Sequence, residues 1–166
     1  ERQRVLDLFD MRWVAEKRNI LFVGGTGLGK THLAIALGEA ACQKGFSVLF
    51  TTAIDAVNHL SAALADGSFL KRLKTYTQPQ VLVLDELGYL PVDKQGADLL
   101  FQICSHRYER GSIVLTTNRA FKHWGEIFND STVAAAVVDR LVQEPDRWTD
   151  RHDPFVLRFL LSLLQE

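Results

Sequence analysis

The sequence has few of the residues that build disulfide-stabilised or metal-stabilised domains. Only two of its 166 residues are cysteines, Cys42 and Cys104, which lie far apart and outside any Cys-x-x-Cys motif. The five histidines form no cluster with the spacing of metal ligands. These absences argue against a disulfide framework and against a cysteine or histidine metal centre, and they favour a reducing, cytoplasmic setting.

The chain also lacks an excess of charge of either sign and a long apolar run. Nineteen Lys and Arg residues stand against twenty Asp and Glu residues, so the formal net charge is −1. Any contact with nucleic acid must therefore come from a local basic patch. The apolar stretch near the end, FVLRFLLSLL (155–164), is too short to span a bilayer and contains Arg158, so we expect a soluble protein with no membrane partner.

The length of the chain is that of one ordinary domain with a full hydrophobic core. No internal repeat or low-complexity segment divides it. The first residue is Glu1, with no initiator Met and no secretory signal behind it, so we expect a fragment or a processed piece of a longer protein.

Short apolar runs typical of buried strands alternate with helical patterns along the chain. The runs predict strands at 19–23, 47–52, 81–86 and 112–118. Apolar residues at helical spacing predict helices at 2–17, 30–43, 53–64, 68–76, 94–110 and 131–143. The run VLVLDE is continuous, as in parallel sheets that are covered on both faces. The alternation therefore predicts an α/β domain with a mainly parallel central sheet flanked by helices.

Residues 24–31, GGTGLGKT, match the P-loop pattern and lie between a predicted strand and a predicted helix. Glycine is used where the backbone must adopt conformations that other residues rarely reach, and a glycine-rich loop at a helix N-terminus can wrap N–H groups around an anion. Lys30 is expected to reach the β and γ phosphates of ATP, and the Thr31 hydroxyl is expected to bind Mg²⁺. The complete predicted nucleotide site comprises Gly24, Gly25, Thr26, Gly27, Leu28, Gly29, Lys30, Thr31 and His32.

Polar side chains follow the third and fourth predicted strands, at the end where parallel strands face a ligand. Asp85 is predicted to hold the magnesium ion and Glu86 to polarise the attacking water, because adjacent side chains near a strand end point in different directions. A polar strand end that opens a turn is the alternative. Asn118 is suited to sensing the γ-phosphate or orienting water, and a turn-forming asparagine is its alternative.

These segments together resemble the AAA+ ATPases of the IstB and DnaC type, and most closely the IstB-like helpers of insertion-sequence transposition. The matching stretches cover most of 19–142 and read GGTGLGKTHLAIALG, VLVLDELGYLPVDKQGADLLFQICSHRYERGSIVLTTNRAFKHWGEIFND and AAAVVDRL. The resemblance implies one AAA+ P-loop domain over 1–166 that uses ATP and Mg²⁺, oligomerises on duplex DNA and assists a transposase. A DnaC-like helicase loader is one alternative, and a nucleotide-switched interaction module with little hydrolysis is another.

The resemblance also implies roles for individual residues. Asn118 corresponds to the sensor-1 position. Arg140, in VVDRL, corresponds to the arginine finger, which would reach the ATP of a neighbouring subunit, whereas a surface pair with Glu144 is the alternative. The Walker A and Walker B positions are Lys30, Thr31, Asp85 and Glu86.

Residues 53–77 correspond to the two-helix insertion with which such ATPases contact DNA. The only tight basic cluster of the chain lies here, and its predicted DNA contacts are Lys71, Arg72 and Lys74. A solvated helix face is the alternative explanation of this cluster. Arg107 and Arg110 are further basic candidates, for which a subunit interface or pairing with Glu109 is the alternative.

Two parts of the chain depart from the family pattern. The N-terminal region that engages the partner protein in the family would precede Glu1, and 143–166 form a divergent tail without a clear C-terminal lid. The family has a short last strand in the region after Leu141, and PFVLRF (154–159) either supplies this strand or belongs to a divergent end.

Overall fold

The computed structural model describes residues 2–142 and 155–158, with side chains for 3–142. Its strands are β1 (Ile20–Val23), β2 (Val48–Thr52), β3 (Val81–Leu87), β4 (Ser112–Thr117) and β5 (Phe155–Arg158). Within the described ranges they form a single sheet in the order β2-β3-β4-β1-β5, and every neighbouring pair is parallel. The sheet confirms the predicted α/β class and its parallel arrangement.

The helices connect the strands and cover both faces of the sheet. They are α1 (Arg2–Asp7), α2 (Arg12–Ala15), α3 (Lys30–Gln43), α4 (Ala53–Ala65), α5 (Phe69–Thr77), α6 (Lys94–Arg107), α7 (Trp124–Phe128) and α8 (Ser131–Val142). Short 3-10 turns occupy Leu8–Asp10 and Phe121–His123. The second turn and α7 lie in a stretch for which the sequence predicted no element. No helix of the described ranges has the length and apolar character to cross a membrane.

Each central strand divides its side chains between two separate hydrophobic clusters. Val81 and Val83 of β3 pack with α3 and the N-terminal segment, whereas Leu82 and Leu84 pack with α4, α6 and α8. Alternation along the strand sends successive side chains to opposite faces, so a continuous apolar run is buried on both. The sheet is therefore the middle of three layers, and its loops are left at the two ends of the strands.

The N-terminal segment differs from the single helix predicted over 2–17. Met11 is left-handed with a φ of 64°, which separates α2 from the preceding turn. Asp10 accepts the backbone N–H of Arg12 at 2.9 Å, and Lys44 donates to the Asp10 carbonyl oxygen at 3.1 Å. These side-chain hydrogen bonds compete with the helical ones, and apolar periodicity does not reveal them.

The last strand lies in PFVLRF, which agrees with the first of the two sequence alternatives for this segment. The backbone of Phe155–Arg158 pairs in parallel with Ile20–Val23 and forms one edge of the sheet. Residues 143–154 and 159–166, with Glu144 and most of the divergent tail, lie outside the described residues.

Arg107, a candidate DNA contact in the sequence, is buried, with 1% of its surface exposed. Burial lowers the pKa of its guanidinium to about 10. The group donates at 2.7–3.1 Å to the backbone carbonyl oxygens of Tyr76, Pro79, Gln80 and Ser112. Arg107 therefore joins the C-terminus of α5 to the beginnings of β3 and β4, and the prediction that it contacts DNA is wrong. Helix α6 ends at Arg107, before the boundary expected at 110.

Gly111 lies against the Arg107 guanidinium. The four carbonyl oxygens that bind this guanidinium prevent it from moving aside. An added Cβ would lie 2.7 Å from Arg107 Nη2, so we expect Gly111→Ala to lower the free energy of unfolding by about 1–3 kcal/mol. Gly125→Ala in α7 is the matched control, because its added Cβ would have nearest neighbours at 3.7 Å. The control should be neutral or stabilising in urea unfolding. Equal stability of the two variants would contradict the close contact.

Candidate nucleotide site

The loop between β1 and α3 carries an array of free backbone N–H groups. Gly27 and Gly29 have φ values of 80° and 77°, in the left-handed region that favours glycine. Gly24 extends the strand pairing by donating its N–H to the Thr117 carbonyl oxygen at 3.1 Å. Beyond it, no N–H group of residues 25–32 donates to another described residue. Donors grouped in this way at a helix N-terminus bind phosphate oxygens.

The Lys30 ammonium group lies across this loop. Its Nζ donates to the carbonyl oxygen of Gly25 at 2.6 Å. Burial lowers the pKa of Lys30, and the nearby Asp85 carboxylate acts in the opposite direction. The loop therefore combines a cation with free N–H donors, which is the chemistry that a polyphosphate requires.

Asp85 is the buried carboxylate of the site, with 3% of its surface exposed. Its Oδ1 accepts hydrogen bonds from the hydroxyl of Thr31, at 3.0 Å, and from the hydroxyl of Thr116. A buried carboxylate needs such donors to offset its lost hydration. The structure thus brings together the two predicted magnesium ligands, Thr31 on the first turn of α3 and Asp85 on β3.

Glu86 occupies a β-bulge inside β3. The register with β4 shifts between Leu84 and Leu87, so that two residues, Asp85 and Glu86, oppose Thr116 alone. Glu86 has a φ of 59°, a conformation that residues other than glycine rarely adopt. Its side chain is exposed and lines the cleft above the loop. The bulge therefore leaves the Asp85 carboxylate buried and the Glu86 carboxylate exposed. Strand β3 also continues to Leu87, past the end expected at 86.

Thr116 is a site residue that the sequence analysis missed. Its hydroxyl oxygen accepts the N–H of Glu86 at 2.9 Å, and the same hydroxyl donates to Asp85. One side chain on β4 thus positions both acidic residues. Threonine is an ordinary strand residue, and its place opposite the bulge depends on the register of β3 and β4, for which the run SIVLTTN carries no signal.

The walls of the cleft come from the ends of β3 and β4. Asn118 lies here as predicted, and its Oδ1 is buried without a hydrogen-bond partner among the described residues. Tyr89, which the sequence analysis did not single out, also lines the cleft, although 58% of its surface is exposed. The floor is the loop from Thr26 to His32. Gly24 and Gly25 precede this floor and do not line the cleft.

The sequence as a whole matches a known family. Residues 1–153 match the family described as IstB-like ATP binding protein. The chain belongs to this family. The ATP-binding protein of insertion sequence IS5376 from Geobacillus stearothermophilus is 44% identical over 142 residues, which are 86% of this chain and 57% of that protein. Its counterpart in IS21 from Pseudomonas aeruginosa is 39% identical over 86% of this chain and 54% of that protein. This chain therefore spans little more than half the length of these relatives.

Solved structures of other proteins share the fold of the IstB-like chain. The DnaC helicase loader has a TM-score of 0.68 at 26% identity, over 83% of this chain and 85% of that protein. DnaI has a TM-score of 0.72 at 21% identity, over 84% and 79% of the two chains. DnaA bound to AMPPCP and single-stranded DNA has a TM-score of 0.68 at 24% identity, over 80% and 41%. These likenesses confirm the AAA+ P-loop fold.

The donors of the IstB-like site suit a magnesium–nucleotide complex. Mg²⁺ binds few protein oxygens and completes its octahedron with phosphate oxygens and water. Thr31 and Asp85 supply one hydroxyl and one carboxylate oxygen, 3.0 Å apart. The described residues contain no group of three or more His, Cys, Asp and Glu side chains that could hold a metal by themselves. The site therefore fits a metal that takes its remaining ligands from phosphate and water.

Arg140 lies at the opposite end of the sheet from the cleft. Its guanidinium lies over the ring of Tyr108 at 5.0 Å, and its Nη1 pairs with Asp139 at 3.0 Å. Its backbone carbonyl oxygen is 3.5 Å from the side-chain amide of Asn19, which precedes the amino end of β1, whereas the loop follows the carboxyl end. Arg140 therefore does not meet a nucleotide bound in its own subunit.

The predicted DNA-contacting cluster is exposed on α5. Lys71, Arg72 and Lys74 all face solvent and make no ion pair with a described residue. Arg110 is also exposed. The other face of α5 is buried, and Arg107 binds a carbonyl oxygen in its last turn. The three basic side chains are therefore available to a partner. The helix that carries them is fixed to the rest of the domain by its buried face.

We expect Thr116→Val to lower the free energy of unfolding by about 1–3 kcal/mol, because Asp85 loses one hydroxyl donor and the Glu86 N–H loses its acceptor. Thr116→Ser keeps the hydroxyl and should recover most of this loss. Denaturant unfolding of both variants measures the effect. A loss in Thr116→Ser with none in Thr116→Val would mean that the methyl group, and not the hydroxyl, stabilises the site.

Proposed function

We propose that the chain is the ATPase domain of a transposition helper, which hydrolyses ATP with Mg²⁺, assembles on duplex DNA and assists a transposase. The observation that carries the hydrolysis is the Thr116 hydroxyl, which donates to the buried Asp85 carboxylate and accepts the backbone N–H of Glu86, whose exposed carboxylate lines the cleft. A protein that only binds nucleotide has no need of the second carboxylate. Relatives encoded in insertion sequences support the biological setting.

Each part of the cleft has a role in the proposed reaction. Lys30 and the loop N–H groups bind the β and γ phosphates, and Thr31 and Asp85 hold the magnesium ion, which neutralises phosphate charge when bound. Glu86 takes a proton from water as the water oxygen bonds to the γ-phosphorus and the bond to the bridging oxygen breaks, releasing ADP. Asn118 lines the cleft, where its side-chain amide orients that water.

We expect Glu86→Gln to bind ATP as the parent does but to lower kcat by about 10²–10⁴-fold, because the amide keeps the shape and cannot accept the proton. Nucleotide titration and phosphate release measure the two quantities separately. Glu126→Gln is the matched control, since that carboxylate is exposed and pairs with His123 outside the cleft. Parental turnover in Glu86→Gln would remove this residue from the chemistry.

A site completed between subunits is supported by the charges of the cleft. Lys30 is the only Lys or Arg among the described residues that line it. Arg119 follows Asn118, but its side chain packs toward Gly88 and is not part of the lining. The charge that develops on the γ-phosphoryl group therefore needs a cation from elsewhere, and Arg140 of a neighbouring subunit is our candidate.

We expect Arg140→Ala to lower the ATPase rate by about 10³–10⁵-fold and Lys30→Ala to abolish it, whereas a mixture of the two variants should recover activity. In the mixture, one subunit supplies an intact loop and its neighbour supplies the arginine. The control replaces the second variant by one that carries both substitutions, which offers no arginine and should stay inactive. Full activity of Arg140→Ala at high protein concentration would contradict a shared site.

Duplex DNA is the proposed ligand of the cluster Lys71, Arg72 and Lys74. A net charge of −1 gives one subunit little attraction for DNA, so several subunits on one duplex would supply the affinity. The same assembly would raise the local concentration of subunits and thereby stimulate hydrolysis at shared sites.

The likeness to DnaC, at 26% identity over 85% of that protein, favours a second candidate function, the delivery of a replicative helicase. The relatives at 39–44% identity come from insertion sequences, and we therefore place the transposition helper first. ATP-dependent stimulation of a transposase, as opposed to loading of a helicase onto DNA, is the activity that separates the two.

A further inference from the structure

The turn that follows Glu86 brings an exposed tyrosine back to the nucleotide cleft. Glu86 and Gly88 both have positive φ values, 59° and 86°. The N–H of Tyr89 donates to the Glu86 carbonyl oxygen at 3.3 Å. The chain therefore reverses between 86 and 89, so that Glu86 and Tyr89 line the same cleft.

Helix α7 holds this turn in place. An added Cβ on Gly88 would lie 2.6 Å from Ile127 Cδ1 and 3.2 Å from the Arg119 side chain. Only glycine fits this space and also adopts the required φ. After the turn, the N–H of Val92 donates to the Ile127 carbonyl oxygen at 3.0 Å. The backbone thus fixes Tyr89 relative to Glu86 and to α7.

The Tyr89 side chain has no structural role in the described part of the chain. It is 58% exposed, and no described residue forms a hydrogen bond with its hydroxyl or a ring contact with it. The other two tyrosines are used by the fold: Tyr76 is 3% exposed and bonded to His59 at 3.1 Å, and Tyr108 lies beneath the Arg140 guanidinium. An aromatic side chain that a fixed backbone turn presents to a cleft, without a partner of its own, is suited to a ligand.

The neighbours of Tyr89 indicate which part of a nucleotide it meets. Glu86 and Asn118 line the cleft together with Lys30, and in the proposed site they lie on the side of the terminal phosphate. The Glu86 carboxylate adds negative charge on this side of the cleft, where phosphate oxygens need donors. A phenol hydroxyl donates a hydrogen bond without adding a cation that would neutralise Glu86.

We propose that the Tyr89 hydroxyl donates a hydrogen bond to the terminal phosphate of bound ATP, so that this turn distinguishes ATP from ADP. The inference rests on the nucleotide site of the proposed function and adds to it a contact on the Glu86 side of the cleft. Tyr89 is then a ligand-binding residue, and one turn sets the positions of both Tyr89 and Glu86.

Tyr89→Phe tests the inference because it removes the hydroxyl and keeps the ring. The affinity of the full chain for a non-hydrolysable ATP analogue with Mg²⁺ should fall about tenfold, since a hydrogen bond to a charged oxygen is lost. The affinity for ADP should be unchanged, because the bonded phosphate is absent. Calorimetric titration measures both. Tyr108→Phe makes the same chemical change outside the cleft and should leave both affinities at the parental values.

Lys30→Ala distinguishes a failure of this inference from a failure of the site. If Lys30→Ala weakens both nucleotides and Tyr89→Phe weakens neither, the inference is wrong and the site stands. If Lys30→Ala also has no effect, the site itself is wrong. Equal weakening of the ATP analogue and ADP by Tyr89→Phe would place the hydroxyl on the shared part of the nucleotide. If Tyr89→Phe lost self-association while its nucleotide affinities stayed unchanged, Tyr89 would be a subunit contact. Each of these last two results would overturn the inference.

Discussion

The buried carboxylate of Asp85 is the constraint on which the site depends. With 3% of its surface exposed, this charge needs hydrogen-bond donors, and Thr31 and Thr116 supply them from two different elements. The first turn of α3, the bulge of β3 and the end of β4 are thereby joined at one end of the sheet. The loop N–H groups and the Glu86 carboxylate take their relative positions from this junction.

A second buried charge lies at the other end of the same two strands. Among the described residues, Arg107 has four carbonyl oxygens as partners and no carboxylate, and it meets the C-terminus of α5 and the beginnings of β3 and β4. A cation is favourable at a helix C-terminus because of the helix dipole. Helix α5, which we propose to bind DNA, is therefore attached to the beginnings of β3 and β4. The opposite ends of these two strands carry Asp85 and Thr116.

Local patterns predicted most of the fold, and two of the errors share a physical cause. Strands β1 to β4, the loop and helices α3, α4, α5, α6 and α8 follow from apolar periodicity and glycine spacing, whereas α7 was not predicted. The N-terminal helix and the role of Arg107 were predicted wrongly because Lys44 and Arg107 bind backbone carbonyl groups of segments far away in the sequence. A pattern within one segment carries no information about such partners.

Residue spacing and apolar runs alone specify the phosphate-binding loop, the parallel α/β architecture and the acidic pair that follows the third apolar run, because each is a local property of the chain. The residues that complete the site depend instead on how distant segments pack together. The bulge opposite Thr116 and the return of Tyr89 to the cleft depend on strand register and on packing against α7. The distance of Arg140 from the cleft of its own subunit also depends on packing, because the Arg140 carbonyl oxygen lies against Asn19, a residue far away in the sequence.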